Sequence, residues 1–84
     1  MPYINRDRRE ALDPVMAELA ESISTAGEMN YTITRLIHKW IADYGECYDA
    51  YNSMIGVLEC AKAELYRRKV APYEDIKIEE NGDV

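Results

Sequence analysis

The stretch Asn30-Tyr31-Thr32-Ile33-Thr34-Arg35-Leu36-Ile37-His38-Lys39-Trp40-Ile41-Ala42-Asp43-Tyr44-Gly45 decides the fold class. Ile33, Leu36, Ile37, Trp40, Ile41 and Tyr44 recur at three- and four-residue steps, the spacing that lines one face of an α-helix. Tyr31, Arg35, His38 and Lys39 fall on the other face. Asn30 is a residue that caps helix N-termini, and Gly45 suits a C-terminal cap that leaves right-handed geometry. The spacing therefore predicts an amphipathic helix over residues 30–44.

Outward on the N-terminal side, Val15, Met16, Leu19 and Ile23 repeat at helical spacing, with Leu12 just before them. Asp13-Pro14 reads as the start of that helix, because Asp caps free N–H groups and Pro loses nothing at the first helical position. A helix over 13–25 is expected, ended by Ser24-Thr25-Ala26-Gly27. Residues 1–12 are then an N-terminal arm. On the C-terminal side, Tyr51, Met54, Ile55, Leu58, Ala61 and Leu65 form the main stripe of a third helix, predicted over 47–69. Its other face carries Asn52, Gly56, Glu59, Ala63, Tyr66 and Arg67, with Cys60 beside it. Gly inside a helix costs about 1 kcal/mol relative to Ala, so Gly56 suggests close approach by a backbone or a ligand. Val70-Ala71-Pro72 should stop this helix, since the residue before Pro is pushed out of helical geometry. The tail 71–84 is acidic, and Ile76-Lys77-Ile78 alternates like a short strand before the turn signal Asn81-Gly82. An extended acidic tail packed along the domain or a neighbour is expected. The fold expectation is all-α: a compact three-helix domain, residues 1–84, with an N-terminal arm and that tail.

Eighty-four residues make one domain, small enough that an oligomer would add needed burial. Apolar residues are 48% and charged residues 31%, a globular balance. The formal charge of -6 opposes non-specific binding to nucleic acid or anionic membrane. The basic clusters Arg6, Arg8, Arg9 and Arg67, Arg68, Lys69 must be weighed against that charge; in the last turn of a helix, Arg67 to Lys69 complement the helix dipole. The acidic tail is a natural partner for them. No apolar run reaches a membrane span and no signal-peptide core is evident, so a cytoplasmic protein is expected.

The chemistry-bearing residues are few. One His, His38, leaves little for His-based acid–base catalysis, and its face is expected to be exposed. Cys47 and Cys60, without a CxxC, do not supply a four-ligand zinc site; two reduced thiols or a single disulfide are both compatible with them. Seven Tyr, one Trp and no Phe mean that nearly every aromatic has a polar tip. No cofactor is implied. Glu59 and Glu64 fall on different faces, and Lys62 stands where a second metal ligand would serve. The candidate site residues are Asn30, Tyr31, Arg35, Asn52, Gly56, Glu59, Tyr66 and Arg67. Arg35 and Glu59 could pair in planar geometry within or between subunits.

Several stretches carry a resemblance. Met1-Pro2-Tyr3-Ile4, Asn30 to Leu36, Ile55 to Lys62, and Tyr66-Arg67-Arg68 through Ala71-Pro72-Tyr73-Glu74-Asp75 to Glu80-Asn81-Gly82-Asp83-Val84 resemble an uncharacterised family of small proteins, a domain of unknown function met in bacteria and their phages. The resemblance implies a common fold and draws attention to the polar residues named above. It carries no activity, cofactor or catalytic residue. The residues alone define a small helical domain; the function expected of it is that of a non-enzymatic interaction protein that forms a homo-oligomer, dimer first, and binds a protein partner. The alternatives are a small-ligand, nucleotide-like binder using an interhelical polar site, and a metal-dependent nucleotide hydrolase.

Overall fold

The computed structural model describes residues 2–84, and its fold is all-α, with no strand among the described residues. Helix α1 spans Arg6–Glu21, α2 Ala26–Tyr44 and α3 Tyr48–Leu65. A π-helical turn over Tyr66–Val70 joins α3 to α4, Ala71–Asn81, without a break. No helix of the described residues is long and apolar enough to cross a membrane.

Helix α1 begins seven residues before Asp13. Asn5 is extended (φ -69°, ψ 165°) and its side chain accepts a hydrogen bond from the Arg8 amide at 3.2 Å. The Arg9 side chain adds a bond to the Ile4 carbonyl at 2.8 Å. With that cap in place, the good helix formers Arg6 to Leu12 extend the helix, and most of the expected arm is helical. Pro14 consequently sits inside α1 rather than at its start.

Helix α2 likewise begins before Asn30. Thr25 is its cap, accepting from the Glu28 amide at 3.1 Å, while the Glu28 carboxylate accepts from the Ser24 amide at 2.7 Å. This is a Thr-x-x-Glu arrangement in which side chains satisfy the amides that open the helix. Gly27 is thus inside the first turn, not a terminator. At the other end Gly45 takes φ 115°, and its amide bonds the Ile41 carbonyl at 2.8 Å.

The largest departure from the sequence expectation is at Pro72. Residues 71–81 are helical, not extended. A Pro ring in a regular helix clashes with the carbonyl four residues back and leaves it without a donor. Here the turn ahead of Pro72 is widened, and the Ala71 amide bonds the Tyr66 carbonyl, five residues away. The wider turn lets the chain pass the ring and continue. Tyr73 to Glu80 then hold helix geometry with local ties: Lys77 to Glu80 at 3.0 Å, and the Lys77 ammonium 5.5 Å over the Tyr73 ring. Three alternating residues, Ile76-Lys77-Ile78, are too short a pattern to impose a strand against those ties.

The chain divides into two units, Tyr3–Asn52 and Ser53–Val84 with Pro2. In the first, Ile41 and Ala50 are buried, and Ile23, Thr32 and Ile37 are half-buried. The apolar stripe of α1, Leu12, Val15, Met16 and Leu19, is exposed. In the second unit no described residue is buried; Met54, Glu64, Val70 and Ala71 are half-buried.

Candidate functional site

The candidate residues divide between the two units. Asn30, Tyr31, Arg35 and Asn52 lie in Tyr3–Asn52; Gly56, Glu59, Tyr66 and Arg67 lie in Ser53–Val84. In α2, one turn apart, Asn30 accepts from the Thr34 hydroxyl at 3.3 Å, and the Arg35 guanidinium lies 6.0 Å from the Tyr31 ring centre. That distance is at the outer limit of a cation–π contact. Tyr31 also lines an open groove of about 410 Å³ with Leu19, Ile23, Thr25, Glu28 and Thr32. Asn52 is exposed on α3.

In the second unit the polar side chains are tied along one continuous helix. Glu59 pairs with Lys62 at 3.2 Å. Glu64 is the most shielded carboxylate among the ion pairs, its side chain 24% exposed, and it holds Arg67 at 2.9 Å with Arg68 at 3.9 Å. Arg67 and Arg68 thus have a partner one turn earlier on their own helix, where the acidic tail had been the expected one. The Tyr66 hydroxyl donates to the Glu74 carboxylate across the π turn. That bond holds the Tyr66 phenol above its ordinary pKa of 10.0, chiefly because the hydroxyl proton is shared with a carboxylate and then because the two charges would repel. A Cβ built at Gly56 would meet nothing within 4 Å, so the side of the helix at Gly56 faces open space.

Two features escaped sequence reasoning. Tyr44 donates to Asp49 at 3.1 Å across the Gly45 turn, which raises the Tyr44 pKa for the same reason as at Tyr66. Trp40 and Tyr44 stack with ring centres 4.9 Å apart and planes 11° from parallel. The i, i+4 spacing of Trp40 and Tyr44 was available as a signal; the reach of Tyr44 over a glycine turn was not. Cys47 and Cys60 are both free thiols and exposed. Among the described residues no three His, Cys, Asp or Glu side chains are grouped to hold a metal ion.

The class these observations define is an all-α chain with exposed apolar helix faces and surface tyrosines tied to carboxylates. The chain belongs to the family described as a domain of unknown function (DUF6899), whose model matches residues 1–84. No curated protein and no solved structure matches it.

Proposed function

We propose that this chain is a non-enzymatic, cytoplasmic interaction protein that works as a homo-oligomer, a dimer in its simplest form, and presents its Tyr-rich surface to a protein partner. One observation carries the reading. Ser53–Val84 is built from a single continuous helix, so no other element of the unit can cover its apolar side chains. Yet Ile55, Val57, Leu58, Leu65, Tyr66, Tyr73 and Ile76 are all exposed along it.

Helices in water gain most of their stability from packing an apolar face, and large contiguous apolar patches mark interaction sites. A second copy is the partner always present at equal concentration, and a small domain gains most from the burial it adds. Light scattering at micromolar concentration tests the reading. A particle of twice 9.7 kDa is expected, and a 9.7 kDa monomer overturns it.

A further inference from the structure

The π turn has a geometric effect on the exposed face of the second unit. In a regular α-helix, residues eight apart point about 80° away from each other. Tyr66 and Glu74 are eight apart and nevertheless share a hydrogen bond, because the extra residue in the π turn brings the later position back beneath the earlier one. Leu65 and Tyr73 have the same offset across the same turn. They therefore lie on one face. Extending in both directions at helical steps adds Leu58 and Ala61 before the turn, Lys69 within it and Ile76 after it.

The result is a line Leu58, Ala61, Leu65, Lys69, Tyr73, Ile76, at spacings of three and four residues. Such spacing is the seam of a two-helix coiled coil. Without the π turn, Tyr73 and Ile76 would rotate off it. Leu58 is 40%, Leu65 59%, Tyr73 60% and Ile76 53% exposed.

We infer that this seam is covered by the same seam of a second copy, running antiparallel, with the two-fold axis at Leu65. The inference rests on the self-association proposed above and adds its direction and register. Two properties of the seam select them. The first is its internal symmetry. Leu58 is two turns before Leu65 and Tyr73 two turns after, so an antiparallel copy sets Leu58 against Tyr73 on both sides of a central Leu65 pair. Ala61 then stands opposite Lys69, where a small side chain leaves room for the aliphatic stem of the lysine.

The second property is charge. A parallel pair would set Lys69 against Lys69 and Glu80, the next seam position after Ile76, against Glu80, and like charges directly opposed are destabilising. The antiparallel register sets Glu80 against the uncharged Tyr51 of the second copy.

Cysteine crosslinking of the full chain tests direction and register, in a background where Cys47 and Cys60 are serine. A disulfide needs Cα atoms about 4.4–6.8 Å apart, which a residue on the two-fold axis meets and one two turns away does not. Leu65→Cys is expected to crosslink to itself under air oxidation, giving a doubled mass as the major species on a non-reducing gel. Leu58→Cys and Tyr73→Cys are expected to crosslink only when the two proteins are mixed. Self-crosslinking of Leu58→Cys and of Tyr73→Cys alone would overturn the antiparallel arrangement while leaving self-association standing. A dimer by light scattering that crosslinks at none of the three positions would overturn the seam itself. A monomer in that measurement removes both readings.

Discussion

The two units of the chain each carry a proline inside a helix, and they deal with it differently. Pro14 lies within α1 of Tyr3–Asn52, and α1 runs as an α-helix from Arg6 to Glu21 without interruption. Pro72 lies at the start of α4 in Ser53–Val84, and the turn before it opens into a π-helix. The units also differ in what supports them. Tyr3–Asn52 has two buried residues, Ile41 and Ala50, whereas Ser53–Val84 has none and relies on side-chain ties along one helix. Surface ion pairs of that kind contribute at most about 1 kcal/mol each. The first unit holds part of its structure by packing, whereas the second has only half-buried residues and ties along its own helix.

The largest effect should come from the packed side of this contrast. Ile41 is 9% exposed, and α2 has no other buried residue. Large-to-small changes in buried aliphatics cost about 2–5 kcal/mol, and a thin core has few neighbours that can close the gap. Ile41→Ala is expected to fall toward the lower half of that range and to lower the melting temperature clearly. Leu58→Ala, on the uncovered side, should change the melting temperature only at concentrations where the protein associates. Melts followed by circular dichroism at two concentrations tenfold or more apart check both. Equal losses for the two variants at every concentration would erase the contrast between the units.

How much of this was legible in the sequence follows the same division. The stripe Ile33 to Tyr44 was legible because six apolar residues repeat without interruption and Gly45 closes them. The start of α2 was not, because Asn30 and Thr25 are both capable caps. Thr25 wins through Glu28, whose carboxylate takes the Ser24 amide. The start of α1 was hidden by the charges of Arg6 to Glu10, which show no apolar period, while Asp13-Pro14 offered a second credible start. In the candidate site, pairs one turn apart such as Glu59–Lys62 and Glu64–Arg67 follow from helix geometry alone. The Tyr66–Glu74 bond does not, since it exists only if the helix takes in one extra residue at a proline expected to end it.

That proline supplies the next test. Replacing Pro14 by Ala restores a donor within a regular helix and should stabilise α1, by up to about 3 kcal/mol. Pro72→Ala should likewise raise helix content and the stability of the isolated helix, but it removes the reason for the π turn. If the turn relaxes to α-helix, Tyr73 and Ile76 rotate away from Leu58 and Leu65. The expected outcome is a paired result: Pro14→Ala melts higher with association unchanged, and Pro72→Ala keeps its helix while association weakens. Light scattering and circular dichroism on the two variants measure it. Unchanged association in Pro72→Ala would mean that the phase set by the π turn is not used.

The smallest expected effect concerns the tie that spans this turn. The Tyr66 phenol has its pKa raised above the ordinary 10.0 by the bond it donates to Glu74. A group whose folded pKa is raised contributes stability below its unfolded pKa, and the contribution is lost as pH rises through the folded value. The neutral phenol therefore helps hold α4 to the π turn at neutral pH, and above its raised pKa the phenolate would repel the Glu74 carboxylate. Tyr66→Phe removes the bond and the titration together. The variant is expected to melt slightly below the wild type at neutral pH, and the difference should shrink and then reverse as the pH passes the raised value. Tyr44, whose pKa is raised by Asp49, is present in both proteins and cancels from the comparison. Melting temperatures of the pair across the alkaline range give the answer. A difference that stays constant with pH would show that the hydroxyl acts through packing alone and that the hydrogen bond to Glu74 does not steady the turn.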